Sequence, residues 1–222
     1  MSLHFQREID LLKKKLLAVG AVVEESIARA IAAVMKHDTA LAQQVAEGDV
    51  EVDRMEVDVE EECLKILALY QPVAVDLRLV IAVLKINNDL ERMADLAVNI
   101  ARRAEYLAGV PKVDVPPNLE DMARKAQMMV KHSLDAFVES DAELARQVCA
   151  ADNEVDQHNR RMHVLIQEQI RANPEDVGRL LHLLSVSRHL ERIADLATNV
   201  AEDVIYTVQG EIVRHRYKAY PN

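Results

Sequence analysis

The 222-residue chain has few of the residues that build β-sheet proteins or disulfide-stapled folds. It contains no Trp, two Phe, five Gly and six Pro, and aromatic residues make up only 3%. Ala, Leu, Val, Ile and Glu dominate instead, a composition that favours long helices over a β-sandwich or an α/β sheet. The two cysteines, Cys63 and Cys149, are predicted to be small buried residues of a reduced cytosolic protein.

Long apolar runs and clustered positive charge are also missing. No run of ~18 uncharged apolar residues occurs, and residues 1–5 do not begin a basic and then apolar secretory signal. The formal net charge is -10 at pH 7, whereas nucleic-acid binding needs clustered Lys and Arg to neutralise phosphates. We therefore expect a soluble, cytoplasmic protein that does not bind nucleic acid.

The chain contains an internal repeat. Residues 90–99 (LERMADLAVN) and 190–199 (LERIADLATN) are identical at eight of ten positions. Residues 38–53 and 141–156 agree at nine of sixteen positions with a constant offset of 103. Such a duplication predicts two similar units in tandem. The proline-rich segment from Gly109 to Pro117 marks their boundary, so we expect one unit at residues 1–110 and the other at 117–222.

Apolar residues recur at three- and four-residue steps along each repeat, which predicts amphipathic helices. Helices are expected at about residues 5–36, 39–70, 75–107, 119–139, 141–173 and 175–209. Asp38 is the predicted N-cap of the second helix and Asn118 of the fourth, and Ser140 forms a capping box with Glu143 for the fifth. The predicted fold is all-α, with six long antiparallel helices in two tandem three-helix bundles related by a pseudo-twofold axis.

Each repeat carries two acidic pairs at helical spacing. Glu91, Asp95 and Asn99 stand at i, i+4 and i+8 on the third helix, and Asp49 and Asp53 form a similar pair on the second. The second repeat has the same pattern at Asp152, Asp156, Glu191, Asp195 and Asn199. A packed core has no need of carboxylates at fixed spacing, so the repetition predicts a binding site.

The helix turn in each repeat is predicted to bring the two acidic pairs side by side. Asp49 and Asp95 are equally far along the chain from Pro72, and so are Asp53 and Glu91. Antiparallel helices rise ~1.5 Å per residue, so residues equidistant from the turn lie at the same level. The second repeat has the same symmetry about the bond between residues 173 and 174. Four carboxylates are therefore expected to converge, and to repel one another, in each repeat.

Hard metal ions are the expected partners of these carboxylates. The predicted ligands are Asp49, Asp53, Glu91, Asp95, Asp152, Asp156, Glu191 and Asp195, with Asn99 and Asn199 as weaker candidates. Oxygen ligands suit iron, Mn, Mg or Ca, whereas zinc would bring His or Cys. Four negative charges exceed what one divalent ion neutralises, so multinuclear sites are expected. His182 and His189 are predicted not to be ligands, since Ala82 and Asp89 are their repeat equivalents.

Two alternatives compete with a regulatory metal site. A di-iron or ferritin-like enzyme would place Glu-x-x-His pairs in its bundle. No such pair occurs on either acidic hairpin, and Glu154 and His158 are one residue too far apart. The other alternative is a purely structural helical scaffold with solvated acidic faces, in which Arg92 and Arg192 neutralise the acids as surface ion pairs.

The repeated motifs resemble the PhoU family, the accessory regulators of the phosphate-specific transport system. The resemblance covers nearly the whole chain and includes the duplicated bundle, the LER(M/I)AD segments, QPVAVDLRL at residues 71–79 and GEIVRH at residues 210–215. It implies a cytoplasmic, usually dimeric protein that binds multinuclear metal clusters through the paired acidic motifs. It further implies negative regulation of the phosphate-starvation response. The implied partners are the ATP-binding subunit of the phosphate transporter and a phosphate-sensing histidine kinase. We therefore expect a regulatory adaptor and not an enzyme.

Overall fold

Six long helices account for most of the chain. The computed structural model describes residues 3–211 and Val213, so Ile212, Arg214 and His215 of the GEIVRH ending lie outside the described residues. The helices are α1 (Leu3–Lys36), α2 (Thr39–Tyr70), α3 (Ala74–Ala108), α4 (Pro117–Glu139), α5 (Ala142–Ala172) and α6 (Val177–Gln209). A 3-10 turn at Pro174–Asp176 precedes α6, and the described residues contain no β-strand. The predicted all-α fold is confirmed.

Each repeat forms a three-helix bundle, and the two bundles pack against each other. Helices α1, α2 and α3 contact one another, and so do α4, α5 and α6. Between the repeats, α3 packs against α6 and α1 against α4. Because each of these contacts joins equivalent helices, a pseudo-twofold axis relates the halves. No helix in the part of the chain that the structure describes is both long and apolar enough to cross a bilayer.

Buried apolar side chains from all six helices form one continuous core. Leu16 of α1, Leu90 of α3 and Leu190 of α6 are fully buried in it. At the contact between α1 and α4, Gly20 permits close packing, since a Cβ at this position would lie 2.7 Å from Cδ1 of Leu134. That residues 1–110 and 117–222 form separate domains stays a prediction, because a shared core does not show that either half folds alone.

Equivalent aspartates cap the second helix of each repeat. Asp38 caps α2 as predicted, because its side chain accepts hydrogen bonds from the first backbone N–H groups of the helix. Asp141, the repeat equivalent of Asp38, caps α5 in the same way. The predicted capping box of Ser140 with Glu143 is therefore wrong. Ser140 instead follows the end of α4, in the left-handed conformation with φ of 54°.

The predicted N-cap of α4 is also wrong. This helix begins at Pro117, whose fixed φ suits the first helical turn, so Asn118 already lies inside the helix. The side chain of Asn118 joins α4 to α5, with Nδ2 donating a hydrogen bond to the carbonyl oxygen of His158 at 2.8 Å. The Asn118 amide thus serves tertiary packing and not the helix end.

The two hairpin turns lie where the proline signals place them. Helix α2 ends at Tyr70 and α3 begins at Ala74, so Pro72 is at the centre of the first turn. Helix α5 ends at Ala172 and the 3-10 turn begins at Pro174. The turns thus lie where the predicted level pairing of the acidic residues requires them, and the pairing itself stays a prediction.

Candidate metal sites

In the first repeat, α2 and α3 bring the four predicted carboxylates close to one another. Burial, and then the negative charges of Asp53 and Asp95, raise the pKa of Asp49. Burial, and then the charges of Asp95, Asp53 and Asp49 among others, raise the pKa of Glu91. Carboxylates perturb one another in this way only at short range. Helices α2 and α3 thus place a concentration of like charge on one surface.

Glu56 belongs to the same group, although the repeat pattern gives no sign of it. Its charge contributes to raising the pKa of Glu91. Burial, and then the charges of Glu60 and Asp53, raise the pKa of Glu56 itself. Its position three residues after Asp53 was the available signal, since residues at i and i+3 share a helix face. Its repeat equivalent, however, is Asn159.

In the second repeat, two of the predicted ligands line a cavity of about 750 Å³ between α3, α5 and α6. These are the buried Asp152 and the half-buried Asp195, and Asn199 lies in the same wall. Asp156 and Glu191 are not among the residues described as lining this cavity. Oδ2 of Asp156 instead accepts a hydrogen bond from Nη2 of Arg160 at 3.3 Å. The second group is therefore less uniform than the first.

Helix α3 of the first repeat closes this cavity. It contributes Lys85, whose Nζ lies 3.0 Å from Oδ1 of the buried Asp203 on α6. The wall carries this one ammonium group and five carboxylates, namely Asp89, Asp152, Asp195, Glu202 and Asp203. The sequence pattern identifies only two of the five, because Asp89 comes from the other repeat and the remaining two lie outside the motif.

The protonated thiol in the cavity wall is a poorer metal donor than the carboxylates beside it. Burial, and then the charges of Glu202 and Asp152, raise the pKa of Cys149 to about 12. A thiol must lose its proton before it binds a metal ion. The available donors are therefore carboxylate and amide oxygens, which fit a hard cation.

The carboxylates lie near one another without forming a complete coordination sphere. Within residues 3–211 and 213, no three His, Cys, Asp or Glu side chains are placed so that they could hold one ion together. Metal binding would require these side chains to turn toward a common point. Asp53 and Asp95 lie exposed on their helix surfaces, so this movement does not require the core to repack.

Arginines lie near the first acidic group and near the histidines of α6. The positive charge of Arg102 opposes the increase in the pKa of Asp49. Burial, and then the charges of Arg103, Arg192 and Arg188, lower the pKa of His189 to about 4. A neutral His189 lies with Nε2 3.3 Å from Oγ of Ser185.

His182 lies one helical turn before Ser185. Its ring stacks on Tyr106 of α3 with centroids 3.7 Å apart. Burial, and then the charge of Arg103, lower the pKa of His182. This end of the contact between α3 and α6 is therefore rich in positive charge and aromatic surface.

A second cavity, of about 420 Å³, lies on the pseudo-twofold axis between the two acidic groups. Helices α3 and α6 line it with the same four residue types from the same repeat positions, namely Arg92, Asp95, Leu96, Asn99, Arg192, Asp195, Leu196 and Asn199. Asp95 and Asp195 thus face this axial cavity and also belong to the predicted ligand sets. The two candidate metal sites therefore share a common wall.

Known proteins match the chain over almost its whole length. The PhoU domain family matches twice, at residues 16–104 and 119–204. The phosphate-specific transport system accessory protein PhoU homolog of Aquifex aeolicus (strain VF5) is 39% identical, over 95% of this chain and 96% of its own. The homolog of that name from Pseudomonas aeruginosa is also 39% identical, over 97% of this chain and 89% of its own.

Solved structures show the same similarity. The crystal structure of PhoU from Pseudomonas aeruginosa superposes with a TM-score of 0.90 at 38% identity, covering 93% of this chain and 100% of the other. The phosphate transport system regulatory protein PhoU from Streptococcus pneumoniae superposes with a TM-score of 0.85 at 28% identity, covering 94% and 99%. The arrangement of the six helices is thus common to all three chains.

Proposed function

Since the chain belongs to the PhoU family, we propose that it is a metal-binding regulatory adaptor of phosphate uptake and of the phosphate-starvation response. The role in phosphate transport follows from the relatives, which are named as accessory proteins of the phosphate-specific transport system. The metal-binding part is supported by the mutual proximity of Asp49, Asp53, Glu91 and Asp95. In this proposal the protein regulates by binding partners and catalyses no reaction.

Repulsion within the acidic groups favours cation binding. The increased pKa values of Asp49 and Glu91 mean that the folded protein disfavours their charged forms. A cation between the carboxylates would replace this repulsion with attraction, and would stabilise the fold by mass action. The proposed ligands remain the two sets Asp49, Asp53, Glu91, Asp95 and Asp152, Asp156, Glu191, Asp195, with hard ions such as iron, Mn, Mg or Ca in multinuclear sites.

The turn between α2 and α3 supports a function that depends on protein partners. Val73 at the tip of this turn is 73% exposed, and Leu69 and Val75 beside it are exposed as well. Exposed apolar side chains that lie together are typical of protein contact surfaces. The equivalent turn of the second repeat carries Glu175 and Asp176. The difference favours the first turn as a contact surface.

We propose that the partners are the ATP-binding subunit of the phosphate transporter and a phosphate-sensing histidine kinase. Binding to both in the cytoplasm would let the adaptor, acting as a homodimer, repress the starvation response while phosphate is imported. The -10 charge of the chain is unsuited to nucleic acid as the partner. Pull-down of the two named proteins with the tagged chain tests this part, and light scattering of the purified protein tests the dimer.

Elemental analysis of protein purified without chelator tests the metal sites. The double variant Glu91→Gln/Asp95→Asn should lose the metal of the first site and keep that of the second. A matched control, Glu25→Gln/Asp121→Asn, removes two negative charges from exposed helix positions far from both sites and should keep all of the metal. Full metal content in Glu91→Gln/Asp95→Asn would contradict the assignment of Glu91 and Asp95 as ligands.

A reporter of the phosphate-starvation response tests the regulatory role. In a strain that lacks the protein, the wild-type chain should restore repression at high phosphate, and Glu91→Gln/Asp95→Asn should not. Full repression by the variant would show that metal at the first site is not needed for regulation. Steady oxidation of added ferrous iron by the purified protein would instead favour the di-iron enzyme. Nδ1 of His158 lies 2.7 Å from Oδ1 of Asn118 on α4, so this ring nitrogen is not available to such a centre.

A further inference from the structure

We propose that the axial cavity binds a small tetrahedral oxyanion, of which inorganic phosphate is one, between Arg92 and Arg192 when the flanking carboxylates hold metal. This inference rests on the metal binding proposed above, and it assigns a second ligand to the wall that the two metal sites share. The cavity volume of about 420 Å³ lies within the range of small-ligand pockets.

The donors of the cavity wall suit a tetrahedral anion. Each guanidinium presents a planar fork of N–H groups that can bind two oxygens of one oxyanion. A tetrahedral oxyanion has four oxygens and can therefore occupy two forks, whereas a carboxylate has the oxygens for only one. Asn99 and Asn199 add two amide groups that can donate to the same anion. This gives the repeated asparagines a role that does not require them to bind metal.

The two arginines keep donors available for a ligand. Nη1 of Arg92 lies 3.7 Å from Oδ1 of Asp89, which is too long for a hydrogen bond. At the equivalent position beside Arg192 the chain has His189, which has no carboxylate that could pair with the guanidinium group. The side chain of Arg92 is 52% exposed, so an anion can reach it from solvent.

Asp95 and Asp195 make the proposed anion binding depend on metal. In metal-free protein their two negative charges balance the two guanidinium groups and repel an anion. Once metal ions neutralise these carboxylates, the two guanidinium groups give the cavity wall an excess of positive charge. Metal and anion should therefore bind cooperatively, and each should increase the affinity of the other by the same factor.

Calorimetric titration with inorganic phosphate tests the inference. The protein is loaded with Mn²⁺ and freed of unbound metal by gel filtration, and its metal content is measured before each titration. Arg92→Gln/Arg192→Gln should weaken phosphate binding at least about tenfold with metal content unchanged, since charge-assisted hydrogen bonds are lost. The control Arg29→Gln/Arg124→Gln removes two exposed arginines elsewhere and should bind phosphate as the wild type does.

Further titrations identify the ligand class and the metal dependence. Sulfate should compete with phosphate, acetate should not, and glycerol phosphate distinguishes a free anion from a phosphate ester. Metal-free protein should bind phosphate at least about tenfold more weakly. Equal phosphate affinity in the arginine variant would overturn the inference, because the anion would then bind the metal alone. If wild-type protein binds metal but not phosphate, only this inference is overturned. If wild-type protein binds no metal, the metal binding in the proposed function is overturned as well.

Discussion

The two acidic groups share a ligand motif but differ in the charges around them. Arg102 lies near the first group, whereas Glu202 holds the equivalent position in the cavity of the second. The residues at equivalent repeat positions are Ser185 for Lys85, Arg103 for Asp203, Arg102 for Glu202 and His189 for Asp89. Because α3 and α6 cross on the pseudo-twofold axis, each helix contributes to the surroundings of both groups.

This difference shows that the duplication kept the ligand positions and changed the charges nearby. In the cavity of the second repeat five carboxylates face one ammonium group, so a cation is attracted by more than its direct ligands. In the first group Arg102 lies close enough to Asp49 to oppose the increase in its pKa. The two sites should therefore differ in metal affinity, in pH dependence and in the stability of the contact between the helices.

The largest effect should come from breaking the ion pair between Lys85 of the first repeat and Asp203 of the second. Asp203→Ala should lower the free energy of unfolding by about 3 kcal/mol, because it leaves the Lys85 ammonium without its buried partner. This figure is at the low end of the usual range, since the Lys85 side chain is 37% exposed. Urea unfolding of the metal-free protein measures the loss. Arg103→Ala, the change at the equivalent position of the first repeat, should lower the free energy of unfolding by less than about 1 kcal/mol. Equal losses in the two variants would contradict the difference proposed between the repeats.

The next effect is a dependence of folding stability on pH that comes from His189 on α6. His189 has a folded pKa of about 4, below the ordinary value of 6.5, so folding favours its neutral form. Its contribution to stability is complete above pH 6.5 and is lost as the pH falls from 6.5 through about 4. With solvent screening allowed for, the loss should be on the order of 2 kcal/mol.

Unfolding of metal-free wild type and of His189→Gln at several pH values measures this contribution. The variant should lack the part of the pH dependence that belongs to His189, because a glutamine amide does not titrate. His132→Gln, a change on α4 away from the contact between α3 and α6, is the matched control and should behave as the wild type does. Parallel pH curves for His189→Gln and wild type would count against this explanation.

A smaller effect should separate the metal affinities of the two sites. With limiting Mn²⁺, the second site should fill first, because Glu202 and Asp203 stand where the first repeat has Arg102 and Arg103. Arg102→Glu copies the residue of the second repeat and should increase the affinity of the first site by about tenfold, roughly 1.4 kcal/mol. Calorimetry on wild type and variant gives both affinities. A decrease in affinity, or filling of the first site before the second in wild type, would reverse the predicted order.

The smallest effect should be the relief of repulsion in the metal-free first group. Glu91→Gln/Asp95→Asn should stabilise the metal-free protein at pH 7 by roughly 0.5 kcal/mol. Because the pKa values of Asp49 and Glu91 are increased, their destabilising effect is absent at low pH and develops as the pH rises through their folded values. The gain in the variant should therefore disappear in acid. A loss of stability at pH 7 would show that these carboxylates make favourable contacts in the absence of metal.

The fold and the first acidic group could be predicted from the sequence because both depend on local patterns. Helical periodicity, the proline turns and the repeat are all local patterns, and the register of one hairpin follows from residue counting about Pro72. The N-cap at Asp141 could also have been predicted, since Asp38 is its repeat equivalent. The spacing of Ser140 and Glu143, however, matched the capping-box pattern more strongly. In these cases nearby residues carried the information.

The rest of the second site depends on contacts between the repeats, which no local pattern contains. Asp89 lines the same cavity as Asp152 only because α3 of one bundle packs against α6 of the other. Asp156 and Arg160 stand at i and i+4, so their ion pair could have been expected from the sequence. Its importance, however, depends on which way the Asp156 side chain turns, and helical spacing does not determine that direction.

The shared core between equivalent helices makes the chain a dimer within one polypeptide. The contacts of α3 with α6 and of α1 with α4 have the self-complementary form of a twofold homodimer interface. The connection at residues 109–116 acts as a tether that keeps each half at high effective concentration near the other. Cleavage within this tether should leave the halves associated. Dissociation of the two cleaved halves would then depend on protein concentration. In the intact chain, protein concentration cannot affect the contact between the halves.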